Sequence, residues 1–185
     1  MQLILPTPAA TDALGAALAA SRPARAVLYL HGDLGAGKST LARAMLRALG
    51  VRGTIRSPTY TLIERYILDS SRLNRSTLAS GQGDAVDEAV HLDLYRIAAA
   101  AELEFLGLDD LAAQAALWLV EWPDRGSHAL PPPDLHVRLA LVEEGRDAVL
   151  EPASPAGVFW LDRLAIESRA AGQSDSFVQT PATPF

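Results

Sequence analysis

The sequence predicts an α/β fold with a mixed, mainly parallel central sheet, on three observations. The first half alternates apolar strands with helices, and a glycine-rich loop joins one strand to the helix that follows. Residues 116–120 (ALWLV) are apolar at every position, which is typical of a central strand covered on both faces. The second half contains alternating apolar positions on either side of a Glu-Gly turn, which predicts a C-terminal β-hairpin.

The first half contains five predicted elements. Strands are expected over residues 2–5, 26–30 and 60–67, and helices over residues 9–20 and 38–49. Thr11 or Asp12 could cap the first helix, and Gly50 suits a left-handed cap after the second.

The second half resumes after a polar stretch at residues 69–89, which we interpret as a surface insertion. The expected elements are a strand over residues 91–95, helical segments over 98–116 interrupted near Gly107, the strand 116–120, the hairpin at 135–150 and a helix over 158–170. We therefore expect one domain over residues 1–168 and a flexible tail over 169–185.

Composition restricts the function classes. The 185-residue chain has 49% hydrophobic residues, enough for a core, and carries 16 basic and 22 acidic side chains, a net charge of −6. That balance argues against a broad basic face for nucleic acid, although a partner could still bring RNA. The absence of cysteine excludes disulfides and thiolate chemistry. Neither a signal peptide nor a membrane-spanning segment is predicted, so we expect a cytoplasmic protein.

Residues 32–39 (GDLGAGKS) fit the phosphate-binding pattern G-x-x-x-x-G-K-[ST] without a mismatch. Glycines allow positive φ angles and bring backbone N–H groups close to phosphates. Lys38 can reach the β- and γ-phosphates, Ser39 can offer its hydroxyl to Mg²⁺, and the next helix directs its positive end at the anion. The motif predicts a P-loop NTPase-like three-layer sandwich that binds a nucleotide.

A P-loop needs a carboxylate at the end of a neighbouring strand to position magnesium. Glu121 directly follows the most buried strand, where the ligand crevice of a parallel sheet lies, and is therefore the expected magnesium-side carboxylate together with Ser39. Asp93, within HLDLY, is the candidate for orienting water. Both could instead be ordinary solvated or strand-end carboxylates.

Three further residues have open interpretations. Thr59, in the segment SPTY one helix after the P-loop, could sense the γ-phosphate or simply lie in a proline turn. Trp122 could contact nucleotide or partner, or cover the core. Arg146, in the hairpin turn, would ordinarily be a solvated charge.

Five segments in the order GDLGAGKST, SPTYTLIERY, HLDLYRI, ELEFLGLDDL and LVEWPDRG resemble the TsaE family, from about residue 3 to residue 164. The resemblance implies an ATPase that binds ATP and Mg²⁺, with weak intrinsic hydrolysis. It also implies action with TsaD and TsaB, which transfer a threonylcarbamoyl group to adenosine 37 of tRNA, so that tRNA is met through the complex.

The family pattern also suggests roles for individual positions. Catalytic roles fall on Lys38, Asp93, Glu121 and Thr59, and the magnesium-associated positions on Ser39 and Glu121. The implied nucleotide-binding residues are Asp33, Leu34, Gly35, Ala36, Gly37, Lys38, Ser39, Thr40, Trp122 and Arg146. The chain departs from the family by being longer between Glu64 and His91.

Three other functions fit a P-loop. A small-molecule kinase would carry an arginine-bearing lid, which the sequence does not clearly contain. A GTPase would carry a guanine-reading Asn-Lys-x-Asp segment, which is missing. A scaffold that binds ATP without hydrolysing it remains open.

Overall fold

The computed structural model describes residues 1–69, 87–170 and 178–179. Its strands are β1 (Gln2–Leu5), β2 (Ala26–His31), β3 (Ile63–Ile67), β4 (Glu88–Asp93), β5 (Ala115–Glu121), β6 (Leu135–Val142), β7 (Gly145–Pro152) and β8 (Val178–Gln179). Its α-helices are α1 (Pro8–Ser21), α2 (Lys38–Ala48), α3 (Leu108–Gln114) and α4 (Pro155–Ala170). A 3₁₀ helix at Ala100–Leu106 precedes α3.

The strands form one sheet in the order β3-β4-β5-β2-β6-β7-β1-β8. The neighbours β4, β5, β2 and β6 are mutually parallel and form its centre. Antiparallel pairs flank this centre on both sides, and β6 and β7 are the predicted hairpin. The predicted α/β fold with a mixed sheet is confirmed.

Two separate cores cover the two faces of the sheet. Helices α1, α2 and α4 pack on one face, where Leu14, Met45 and Trp160 are fully buried. The other face is covered by the segment from the 3₁₀ helix to the region after β5, with Leu103 and Trp118 in its core. All seven residues of β5 are buried, as the apolar run 116–120 predicted. The result is three layers, helix–sheet–helix.

Local capping fixes the first two helices. The Thr7 hydroxyl accepts a hydrogen bond from the Ala10 amide, and a proline occupies the first turn of α1, so the expected cap by Thr11 or Asp12 is wrong. Helix α2 ends in the predicted left-handed glycine. Gly50 has a φ of 85°, and the two amides after the cap bond back into the last turn in a Schellman arrangement.

Asp134, immediately before β6, joins three elements. Its carboxylate accepts hydrogen bonds from the Val27 amide of β2 at 2.9 Å and from the Ser154 hydroxyl before α4 at 2.5 Å. Ser154 in turn accepts from the Gly157 amide in the first turn of α4. Asp134 therefore ties the sheet to the closing helix.

Most of the predicted insertion at 69–89 (residues 70–86) lies outside the described residues. Its two ends meet where the Leu68 amide donates to the Asp87 carbonyl, at the end of the β3–β4 pair opposite Asp93. In the predicted tail over 169–185, α4 continues to Ala170, and Val178–Gln179 pair with Leu3 and Ile4 of β1. Those two tail residues therefore form a short strand at the edge of the sheet, and the rest of the tail beyond Ala170 lies outside the described residues.

Candidate nucleotide-binding site

The loop between β2 and α2 has the backbone that its glycines predicted. Gly32, Gly35 and Gly37 have φ angles of 131°, 81° and 109°. A Cβ atom at Gly32 would lie only 2.2 Å from the Leu139 carbonyl oxygen of β6, so the loop can pass this strand only with glycine there. Gly37 forms the left-handed N-cap of α2. The loop is therefore shaped both by positive φ angles within the motif and by its close approach to β6.

An open pocket of about 280 Å³ lies over this loop. Its walls come from the P-loop and α2, the SPTY segment, the carboxyl ends of β4 and β5, and the start of β7. The lining residues are Leu34, Gly35, Gly37, Lys38, Ser39, Thr40, Arg43, Ser57, Thr59, Asp93, Tyr95, Glu121, Trp122 and Arg146.

Lys38 is buried at the bottom of the loop. Its ammonium donates to the carbonyls of Gly32 at 2.7 Å and Asp33 at 2.8 Å, and it lies 4.1 Å from the centre of the Trp122 ring. Burial lowers the pKa of Lys38, and the neighbouring Glu121 carboxylate opposes that shift. Within the described part of the chain its partners are neutral carbonyls and an aromatic face, and no carboxylate forms a direct ion pair with it.

Ser39 and Glu121 connect the P-loop helix to the central strand. The Ser39 hydroxyl donates to Glu121 Oε2 at 3.0 Å, and Glu121 is only 2% exposed. Hydroxyl and carboxylate oxygens are ligands that Mg²⁺ prefers, and Mg²⁺ is commonly held by one or two carboxylates with phosphate oxygens and water. Within residues 1–69, 87–170 and 178–179, no three His, Cys, Asp or Glu side chains cluster to hold a metal. The donor set thus fits magnesium bound jointly with a phosphate ligand.

Asp93 lies beside Glu121 in the β4–β5 register, so both carboxylates lie at the same edge of the sheet. Asp93 is 4% exposed and accepts hydrogen bonds from the Thr59 hydroxyl at 2.6 Å and the Tyr95 amide at 3.0 Å. The Ser57 hydroxyl lies 2.9 Å from that of Thr59. Asp93 therefore anchors the SPTY segment, and it is neither solvated nor at the outer edge of the sheet.

Trp122 follows Glu121 in a left-handed backbone conformation, with φ 57° and ψ 47°. This conformation is strained for a non-glycine residue and turns the chain sharply at the strand end. Its amide donates to the Leu30 carbonyl of β2 at 3.3 Å, and its half-buried ring packs 5.1 Å from that of Tyr95. The ring lies in the pocket wall.

Arg146 reaches the P-loop from the start of β7. Its Nε donates to the Ala36 carbonyl at 2.8 Å, and its side chain passes against Gly37. The side chain is half-buried in the pocket wall, so the interpretation of Arg146 as an ordinary solvated charge is wrong.

The remaining predicted residues contribute unequally. Leu34, Gly35 and Thr40 line the pocket, whereas Asp33 and Ala36 do not and instead supply carbonyls that hold Lys38 and Arg146. Sequence reasoning missed Arg43, which lines the pocket and donates to the Thr40 hydroxyl at 3.3 Å. Its position one helical turn after Ser39 was the available signal.

Sequence reasoning also assigned no role to His91 of the HLDLY segment. The structure places its Nε2 2.9 Å from Glu121 Oε1, inside the core.

No helix in the described parts of the chain is long and apolar enough to span a membrane.

Comparison with known proteins agrees with the motifs and the fold. The sequence model of the TsaE family, "Threonylcarbamoyl adenosine biosynthesis protein TsaE", matches residues 5–148. The tRNA threonylcarbamoyladenosine biosynthesis protein TsaE of Haemophilus influenzae is 37% identical over 124 residues, 67% of this chain and 68% of the relative. The protein of that name from Bacillus subtilis is 33% identical over 130 residues, covering 70% and 71%. The crystal structure of YdiB from B. subtilis superposes with a TM-score of 0.68 at 23% identity, covering 91% of this chain and 95% of that one, which shows a shared fold. The chain belongs to the TsaE family of tRNA threonylcarbamoyladenosine biosynthesis proteins.

Proposed function

We propose that the protein binds and slowly hydrolyses ATP with Mg²⁺ to support threonylcarbamoyl transfer to adenosine 37 of tRNA. The transfer reaction itself is assigned to TsaD acting with TsaB, and this chain sustains its turnover. Family membership supports the pathway. The observation that carries the nucleotide chemistry is the 3.0 Å hydrogen bond between the Ser39 hydroxyl and Glu121 Oε2 at the pocket floor.

The P-loop residues account for binding in this proposal. Lys38 would exchange its bonds to the Gly32 and Asp33 carbonyls for phosphate oxygens, at little cost because it already lies buried and oriented. Ser39 and Glu121 would hold Mg²⁺ directly or through its waters. When bound, Mg²⁺–ATP supplies the β–γ phosphoanhydride that water cleaves to give ADP and phosphate.

Thr59 and Asp93 provide a connection between the nucleotide pocket and the surface. Thr59 is now held by Asp93, and a γ-phosphate or its magnesium would compete for the same hydroxyl. A change of partner at Thr59 would move the SPTY segment, whose Tyr60 is 82% exposed. A surface that depends on the bound nucleotide suits a protein that works by docking onto TsaD and TsaB.

Contact with tRNA is proposed to occur through those partners. The net charge of −6 disfavours direct capture of a polyanion. In this proposal Lys38 and Glu121 act on the nucleotide that controls docking onto TsaD and TsaB, and they do not bind RNA.

Two variants and a matched control test the nucleotide chemistry. Lys38→Ala should abolish binding of a fluorescent ATP analogue, because it removes the buried cation. Glu121→Gln should retain the Mg²⁺-independent part of ATP binding but lose Mg²⁺-dependent phosphate release, about 10²-fold or more if the carboxylate positions the metal. Glu151→Gln, which changes an exposed carboxylate near the end of β7 that pairs with Arg138, should behave as wild type.

The outcomes separate the rival functions. Hydrolysis that is unaffected by Glu121→Gln would contradict the proposed metal role. A protein that binds ATP and supports tRNA modification without any hydrolysis would be a scaffold. ATP-dependent phosphorylation of a metabolite, without stimulation by TsaD and TsaB, would instead indicate a kinase.

A further inference from the structure

His91 forms a buried polar pair with Glu121 beneath the pocket floor. Its Nε2 lies 2.9 Å from Glu121 Oε1, and the two side chains are 0% and 2% exposed. His91 is on β4 opposite Leu119 of β5, so the pair spans two adjacent parallel strands. Because water is excluded, this hydrogen bond has no solvent competitor.

The two oxygens of Glu121 therefore have different partners. Oε1 accepts from His91, and Oε2 accepts from the Ser39 hydroxyl, which faces the pocket. Two fixed partners on one carboxylate determine both its position and the rotation of its plane. Loss of either partner would free that rotation.

The chemistry of the ring agrees with a donor role. A carboxylate only accepts, so the hydrogen of this bond lies on His91 Nε2. The other ring nitrogen, Nδ1, is buried and has no hydrogen-bond partner among the residues that the structure describes. The tautomer with its hydrogen on Nε2 leaves a lone pair at Nδ1, which avoids burying an unpaired N–H.

We propose that His91 is a positioning residue that fixes Glu121 for Mg²⁺-dependent nucleotide binding. The proposal rests on the proposed function in requiring Mg²⁺ and a nucleotide at the Glu121 edge of the pocket, but it does not require a role in tRNA modification. His91 is 0% exposed and does not line the pocket, so it acts through the carboxylate and touches no ligand itself. Partners of this kind commonly contribute 10- to 100-fold to metal affinity.

Three substitutions at one position separate positioning from core packing. His91→Leu removes the donor and keeps an apolar side chain. His91→Gln keeps an N–H at a reach similar to Nε2, whereas His91→Asn places its N–H closer to the backbone, near the position of Nδ1. The proposal predicts loss in His91→Leu and His91→Asn, and rescue in His91→Gln.

The measured quantity is the affinity for a fluorescent ATP analogue with and without Mg²⁺. In wild type, Mg²⁺ should tighten binding, and His91→Leu should reduce that gain about 10-fold or more. Affinity without Mg²⁺ should change little, because Lys38 and the loop amides remain. In Glu121→Gln the same His91→Leu change should have little further effect, since the positioned carboxylate is already lost.

The proposal would be overturned if His91→Leu and His91→Gln lost the Mg²⁺-dependent gain in affinity equally. It would also be overturned if Mg²⁺ tightened binding in His91→Leu as much as in wild type. If the variants do not fold, ¹⁵N NMR of histidine-labelled wild-type protein decides. The expected signal is the Nε2–H tautomer of His91, with a resonance that shifts in Glu121→Gln, and hydrogen on Nδ1 would refute the geometry. A different result would count against the pathway role alone: the His91 variants change the Mg²⁺-dependent affinity as predicted, but tRNA modification proceeds equally well without this protein.

Discussion

The Thr59→Val substitution tests whether the SPTY segment is anchored by a buried carboxylate. Valine has nearly the shape of threonine but cannot donate to Asp93, which is 4% exposed and would keep only the Tyr95 amide among the partners described above. A hydrogen bond to a charged group contributes about 1.5–3 kcal/mol. We therefore expect the free energy of unfolding to fall by about 2 kcal/mol, which for a chain of this size lowers Tm by roughly 4–8 °C.

Thr61→Val, one residue after the SPTY segment, is the matched control. The Thr61 hydroxyl donates to Glu64 at 2.9 Å, but on the exposed surface, where water replaces the bond. Its loss should remain within about 0.5 kcal/mol. Urea unfolding followed by circular dichroism measures both variants. Equal losses in the two variants, or a Thr59→Val protein as stable as wild type, would refute the anchoring role.

Three further predictions concern stability and the loop. Asp134→Ala should lower the free energy of unfolding by about 2–3 kcal/mol, because both carboxylate bonds described above are lost; an unchanged urea midpoint would contradict this. Gly32→Ala should abolish binding of a fluorescent ATP analogue, since its Cβ would meet the Leu139 carbonyl at a φ of 131°, and retained affinity would argue against the loop geometry. Burial lowers the pKa of His31 and the pKa of His136. His31 Nε2 lies 2.9 Å from His136 Nδ1, and Tyr29, Arg138 and Asp124 surround the pair. As the pH falls, these histidines take up protons in the unfolded chain before they do so in the folded protein, so the free energy of unfolding should decrease below about pH 6.5. The decrease should be less steep in His31→Gln. A Tm that does not change between pH 7.5 and 5.5 would contradict this prediction.

The P-loop backbone and the position of Glu121 at the carboxyl end of β5 were predictable because each depends on local sequence. Eight consecutive residues specify the loop, and a buried strand has one carboxyl end, so the rule that ligands lie there selects Glu121. Arg146 and Asp93 were harder. The position of Arg146 depends on β7 bringing its side chain against Ala36. The burial of Asp93 depends on the SPTY segment folding over it.

Other features depend on contacts that no local pattern encodes. The strand expected from residue 60 begins only at Ile63, because the Leu62 amide closes a turn onto the Pro58 carbonyl at 2.7 Å with φ 65°. The role of His91 requires that β4 and β5 be neighbours in register. An alternating strand pattern cannot distinguish a histidine that packs in the core from one that orients a carboxylate on the next strand.

Multiple-turnover formation of threonylcarbamoyladenosine in tRNA tests the central claim most directly. Cognate TsaD and TsaB would be combined with tRNA, a threonylcarbamoyl donor and Mg²⁺–ATP, with this protein, with its Lys38→Ala variant or with neither. We predict that more than one equivalent of modified tRNA per TsaD forms only in the reaction with the wild-type chain. Equal yields in all three reactions would contradict the account.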